Sequence, residues 1–380
     1  MIRKQRSALA LVPFCVFAIA KLAYAQAEPP AAYRTRTSQC RHVPPEGTPL
    51  SLRRSDSGVI KSGYTAERVL TYIGDARRLT GGDIVVCTEY GRVEITDSDD
   101  SELRLQVRME GFGEGSERPD EAAARVLDET NLHVHTTAHR GKLLVRVWHS
   151  TLGFTAPGAQ PAWVNVRMHV PRRGPYRLRV EAFHGMIAVR RLTIADAVIR
   201  GNVGEKFKGI SGFVGATELD NVELAGNVDI DNLIGLRGIR EPVTPAMSAL
   251  AAPVFVKARV SASSQLKVVT GGNVNIAIQP SPNLGVRAIG ESNNGRVNIA
   301  IERATTADLA GDASFAVRRS ATTPGYDGKT VKIDIRASSI PGNINIASIP
   351  AAPLPNPRRA GASLAFPVLE DRGIHREGFR

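Results

Sequence analysis

The chain has 380 residues, of which 42% are apolar, 5% aromatic and 23% charged, with 35 Gly, 23 Pro, 3 Cys and a formal charge of +12. Those proportions describe a globular protein, and no apolar run reaches the roughly 20 residues that cross a bilayer, which excludes a polytopic membrane protein. Three cysteines exclude a disulfide-dense miniprotein, and the length suits two domains or one elongated one.

Residues 1–25 read as a signal peptide. Arg3, Lys4 and Arg6 form a basic head, Ser7 to Ala20 an apolar core, and Ala23-Tyr24-Ala25 a small-x-small site, so cleavage is expected after Ala25. An uncleaved anchor is the alternative, opposed by the shortness of the apolar run and by Lys21. Phe14 immediately before Cys15 does not suit lipid attachment. Loss of Arg3, Lys4, Arg6 and Lys21 lowers the formal charge from +12 to +8. Export leaves Cys40 and Cys87 in an oxidising compartment, periplasmic or extracellular, where a disulfide between them is expected. Two independent buried thiols are the alternative, because spacing alone does not show that the Cα atoms approach.

Residues 26–70 carry Pro29-Pro30, Pro44-Pro45 and Pro49 without a sustained period of 2 or 3.6, and are expected to be an extended leader. Residues 71–170 read as a strand-rich part with one helix. Ile84, Val85 and Val86 lead to a turn at Tyr90-Gly91, Val93 and Ile95 alternate with polar residues, and so do Leu103, Leu105, Val107 and Met109. Pro119-Asp120-Glu121 before Ala122-Ala123-Ala124 predicts a helix start. Three strands are predicted over about 131–138, 142–149 and 162–170, the first two joined at Arg140-Gly141.

A short motif then recurs, Gly-x-(Val/Ile)-x-(Ile/Val), at Gly185, Gly226, Gly272, Gly295 and Gly342, with a further copy at Gly91 upstream. The glycine spacings of 41, 46, 23 and 47 residues approximate one or two units of about 20–23, which predicts a β-solenoid over 171–349 with an excursion near 240–262, followed by a Pro/Arg-rich tail over 350–380. Ile187, Val228, Ile230, Val274, Ile276, Val297, Ile299, Ile344 and Ile346 are expected to face inward, with each Gly at a corner needing unusual dihedrals. Asn275, Asn298, Asn345 and Asp229 would then align as an outward ladder about 4.8 Å per step. Immunoglobulin-like repeats are the alternative.

With Gly91-Arg92-Val93-Glu94-Ile95, the helix at Ala122-Ala123-Ala124, the strand Val164 to Pro171 and the repeated Gly-x-Val-x-Ile turns, residues 83–349 resemble the bacterial putative-adhesin family of β-strand repeats, exported domains of unknown function. The resemblance implies an all-β fold, a right-handed β-solenoid preceded by a strand-rich capping region, and an exported location. It carries no catalytic residues.

His133, His135 and His139 make a His-x-His pattern that could hold a metal, but no carboxylate or Cys lies at ligand spacing, and solvated outward histidines are the simpler reading. Asp97, Asp99 and Asp100, or Asp229 and Asp231, could serve a glycosidase or a Ca²⁺-dependent lyase, yet no companion motif accompanies them. Gly111, Gly113 and Gly115 mimic a dinucleotide loop without the βαβ unit, and no nucleophile elbow or phosphate loop is present. No cofactor and no metal is therefore expected. The expected function is non-enzymatic and adhesin-like, acting at the cell envelope, with a carbohydrate-active enzyme as the alternative. The positive charge points to an anionic envelope polymer, glycan or lipid headgroup rather than nucleic acid, and self-association is a further possibility. Trp148 and Trp163 alternate out of phase with Val145, Val147, Val164 and Val166, so both indoles are expected on the polar face. If their strands are neighbours, they form a binding platform with Arg146 and Arg167.

Overall fold

The computed structural model describes residues 44–113, 116–150, 160–201, 216–232, 253–311, 315–339 and 342–349. The signal segment, Cys40, the 350–380 tail and most of the expected excursion lie outside the described residues.

The first strands are β1 (Thr48–Pro49), β2 (Leu52–Asp56), β3 (Ile60–Ser62) and β4 (Thr65–Asp75). Next come β5 (Gly82–Tyr90), β6 (Val93–Ser98), β7 (Glu102–Phe112), helix α1 (Pro119–Asp128), β8 (Asn131–His139), β9 (Lys142–Ser150) and β10 (Gln160–Pro171). They are followed by β11 (Tyr176–His184), β12 (Ile187–Arg190), β13 (Thr193–Gly201), β14 (Thr217–Leu224), β15 (Val228–Asp231), β16 (Val254–Val260), β17 (Ser264–Thr270) and β18 (Val274–Ile278). The last are β19 (Leu284–Ser292), β20 (Val297–Ala300), β21 (Thr305–Leu309), β22 (Val317–Thr322), β23 (Val331–Ser339) and β24 (Ile344–Ser348). The fold is all-β, with α1 as the α-helix among the described residues.

Pro119 opens α1 with Asp120 and Glu121 in its first turn, where carboxylates oppose the positive helix end. Ala123, Ala124, Val126 and Leu127 are its buried face. Gly111 and Gly113 let the helix settle on β7: an added Cβ would lie 2.3 Å from the Ala123 carbonyl oxygen and 1.9 Å from that of Pro119. Clearance explains these two glycines without a phosphate.

The strands build two parallel ladders. In the first, β9, β5, β11, β13, β15, β17, β23 and β19 pair in that spatial order. In the second, β10, β6, β12, β14, β16, β18, β24 and β20 do the same. Inward residues stack in unbroken columns. One runs Val145, Ile84, Leu178, Ala197, Val228, Leu266, Ile335, Ala288, and another runs Met168, Ile95, Val189, Leu219, Val256, Ile276, Ile346, Ile299. All nine residues expected to face inward are buried, none above 5% exposure.

Antiparallel strands extend the ends. At one end β8 and β1 continue from β9, while β7, β4, β2 and β3 continue from β10. At the other, β22 and β21 continue from β19.

Several sequence expectations are corrected. The ladders begin with β5 and β6, inside the segment read as a separate cap, and pairing continues without a break past residue 171. The reading of 26–70 as an unpatterned leader misses β4, where only Ala66, Leu70 and Gly74, every fourth residue, are buried, so alternation does not announce it. The excursion ends earlier than expected, because β16 begins at Val254.

The motif copies at Gly91, Gly185, Gly272, Gly295 and Gly342 lead into strands of the second ladder, whereas the Gly226 copy leads into β15 of the first. Glycine spacing is therefore not a stacking period. The 23-residue step from Gly272 to Gly295 joins strands that are separated by β24. The directly stacked Val254 and Val274 are 20 residues apart. Asn275, Asn345 and Asn298 do align, with Asn345 Nδ2 donating to Asn275 Oδ1 at 3.0 Å. Asp229 instead stands opposite Val198 and Lys267.

Only Gly91 (φ +125) and Gly185 (φ +147) among the motif glycines combine close approach with left-handed backbone. At Gly226, Gly295 and Gly342 the cause is contact between layers: an added Cβ would sit 1.5 Å from the Ala195 oxygen, 2.1 Å from that of Gly342 and 2.1 Å from that of Gly272.

Candidate functional site

Trp148 and Trp163 do not form one platform. Trp148 lies on β9 in the first ladder and Trp163 on β10 in the second, and these strands do not pair. The ring of Trp148 tilts on His133 at 5.4 Å between centroids, and that of Trp163 on Tyr90 at 6.4 Å. Alternation fixes the side of a strand on which a residue stands, but not which strands become neighbours. Arg146 and Arg167 separate in the same way and line two different grooves.

The groove around Arg167 has a volume of about 340 Å³ and is lined by Glu94, Thr96, Arg167, His169, Arg190, Arg191 and Asp220. Its arginines are neutralised internally. Glu94 lies 3.1 Å from Arg167 Nε and 3.2 Å from Arg190 Nη1, and Arg190 Nη2 reaches Glu218 at 3.3 Å. Beside it, Asp97 is 1% exposed and held by Arg172 Nε at 2.5 Å and Arg191 Nε at 3.0 Å. Asp99 and Asp100 are likewise taken by Arg172 and Arg104. The acidic turn thus balances arginines.

The second groove, of about 380 Å³, is lined by Glu46, Asp83, His139, Arg140, Lys142, Leu144 and Arg146. A two-residue hairpin creates it. Arg140 (φ +50) and Gly141 (φ +74) are both left-handed, the pairing that matches the twist of the flanking strands. His139 and Lys142 therefore stand opposite each other, with Arg140 at the tip. Glu46 arrives from the other side, where its carbonyl accepts the Thr137 hydroxyl at 2.8 Å.

Half-buried Arg146 donates Nη1 to the carbonyls of Val145 (3.1 Å) and Asp83 (3.3 Å). Desolvation is the main influence on this guanidinium and lowers its pKa, while Asp83 opposes the shift and Arg179 adds to it. Among the described residues, Arg140, Lys142, Arg146 and Asp83 form no ion pair. In the first groove the arginines are ion-paired; in the second, among the described residues, they are not.

The three histidines do not converge. His133 and His135 stack at 6.3 Å with a 9° interplanar angle, while His139 sits by the turn. Cys87 is buried on β5, and its expected partner Cys40 lies outside the described residues. The sequence reading selected Arg146 and the turn but not Asp83, Arg140 or Lys142. The run His139-Arg140-Gly141-Lys142 was the available signal, a basic cluster on a Gly turn.

No family model matches the chain, and no curated protein matches it. Among solved structures it is similar to a putative cell adhesion protein from Clostridium sporogenes ATCC 15579, at 8% identity and a TM-score of 0.32, over 79% of this chain and 100% of that one. It is also similar to a putative adhesin from Bacteroides fragilis NCTC 9343, at 11% identity and a TM-score of 0.22, over 74% of this chain and 97% of that one. At these values neither likeness carries an inference to this chain.

Proposed function

We propose that this chain is an exported, non-enzymatic, adhesin-like protein of the cell envelope, with its two ladders wound as a right-handed β-solenoid, and that it binds an anionic envelope polymer. The observation that carries this reading is the groove at the β8–β9 turn, where Arg140, Lys142 and Arg146 share one opening without ion pairs among the described residues. Arg146, half-buried and in no ion pair among the described residues, is a cation that a ligand anion would satisfy, with exposed Arg140 and Lys142 beside it. The basic head, apolar core and Ala23-Tyr24-Ala25 support export. The test is binding of the mature protein to purified envelope fractions. Arg140→Gln/Lys142→Gln/Arg146→Gln is expected to abolish it with unchanged far-ultraviolet circular dichroism, and undiminished binding by this folded variant refutes the reading.

A second reading, a carbohydrate-active enzyme, is favoured by Glu94, His169 and Asp220 lining one groove. Time-dependent release of new reducing ends from envelope polysaccharide, lost in Glu94→Gln, would establish it.

A further inference from the structure

The groove at the β8–β9 turn mixes charges in a way a simple polyanion site does not. A carboxylate in the wall of an anion site repels phosphate or sulfate and has no partner on a fully ionised ligand, whereas a ligand that carries hydroxyls as well as a charge can donate to it. Here Asp83 and Glu46 line the same opening as Arg140, Lys142 and Arg146. Asp83 and Arg146 sit diagonally on paired strands, Asp83 opposite Leu144 and Val85 opposite Arg146, yet their side chains form no ion pair.

Arg146 commits only Nη1 to backbone carbonyls. Its Nε and Nη2 have no partner among the described residues. Those two atoms form the edge of a guanidinium that takes a planar carboxylate through two parallel hydrogen bonds. The Asp83 and Glu46 carboxylates can accept from hydroxyl donors, and half-buried Leu144 in the same lining is an apolar surface for a ring face.

We infer that this groove is a subsite for a carboxylated sugar residue, with the sugar carboxylate on the Nε–Nη2 edge of Arg146, flanked by Arg140 and Lys142, and its hydroxyls donating to Asp83 and Glu46. The volume of about 380 Å³ falls in the range of small-ligand sites. The inference rests on the binding reading proposed above and adds the ligand class to it.

The experiment uses the mature protein and three probes: a galacturonic acid trisaccharide, a neutral trisaccharide of the same length, and phosphatidylglycerol vesicles. Saturable binding of the uronate alone is expected. Arg146→Lys keeps the charge but loses the two-point edge, and is expected to weaken uronate binding at least tenfold. Asp83→Asn, which relieves a nearby negative charge but replaces a charged two-oxygen acceptor by one weaker amide oxygen and a donor, is expected to weaken it severalfold, whereas a site recognising charge alone would tighten. Both variants are checked by circular dichroism. Equal binding of the neutral sugar, unchanged affinity in a folded Arg146→Lys variant, tighter binding by Asp83→Asn, or binding of vesicles without binding of uronate each overturns the assignment. If the uronate fails while envelope binding persists and still depends on Arg140, Lys142 and Arg146, only the ligand class is wrong. If envelope binding is also absent, both readings fall.

Discussion

His149 lies on the inward side of β9, 2% exposed, and neither ring nitrogen has a hydrogen-bond partner among the described residues. Burial lowers its pKa from 6.5 to about 4, because the charged ring cannot be hydrated there. The folded state therefore resists protonation that the unfolded chain accepts. Stability from this group is complete above pH 6.5 and is lost progressively as the pH falls toward 4, by about 3 kcal/mol in total. Urea denaturation at pH 7.5 and 4.5 checks this, and His149→Leu is expected to flatten the difference. A wild-type free energy independent of pH over that interval would exclude it. At the same scale, pairing of Cys40 with Cys87 remains our proposal; two free thiols on the denatured, unreduced mature protein would refute it.

The corner between the two ladders repeats its hydrogen bonding over the successive layers at Gly272, Gly342 and Gly295. Ser339 Oγ donates to the Gly272 carbonyl at 2.6 Å and accepts the Gly342 N–H at 2.9 Å, and Ser292 Oγ does the same with Gly342 (2.9 Å) and Gly295 (2.8 Å). Beside it, the side-chain oxygens of Asn273 and Asn343 accept the N–H groups of Asn343 and Arg296, each at 2.8 Å. Backbone groups that turn away from the ladders are thus satisfied by side chains of the same or the adjacent layer. Ser339→Ala leaves a buried donor and acceptor unmade and is expected to cost about 1–3 kcal/mol. Gly342→Ala places a methyl 2.1 Å from a carbonyl oxygen and is expected to cost at least as much. Gly328→Ala meets nothing within 4 Å and should stay within about 0.5 kcal/mol of wild type. Thermal denaturation of the three variants ranks them, and equal melting temperatures for the two glycine variants would contradict the clearance argument.

Across the whole molecule, chain order and spatial order diverge at both ends. The later pair β9 and β10 lies outside β5 and β6, and the final pair β23 and β24 lies inside β19 and β20. Each outermost layer is consequently tied to a neighbour that the chain supplies at another time. Glu291 bolts the far end: it is 1% exposed and receives Arg318 Nη2 at 3.0 Å, Arg336 Nη2 at 3.1 Å and the Ser338 hydroxyl at 3.1 Å, joining β19, β22 and β23. Glu291→Gln is expected to destabilise by about 2 kcal/mol, less than a fully buried pair because Arg336 is largely solvated. A chain ending at Thr330 lacks β23 and β24 and is expected to lose amide-exchange protection in β19 and β20 as well. Native protection of those amides would show that the inserted layer is dispensable.

Much of this was legible in the residues alone. Alternation marked the strands from Val93 to Val170, Pro119 marked the helix, and the Gly-x-Val-x-Ile copies marked residues that are all buried, because period, turn chemistry and helix starts are local properties. Strand β4 escaped, since burial every fourth residue carries no alternating signal. The separation of Trp148 from Trp163, the insertion of β23 and β24 between earlier layers, and the meeting of Asp83 with Arg140, Lys142 and Arg146 are decided by which strands pair. Those pairings join residues about 60 to 70 positions apart, and their choice depends on the whole core closing together rather than on any local run of side chains.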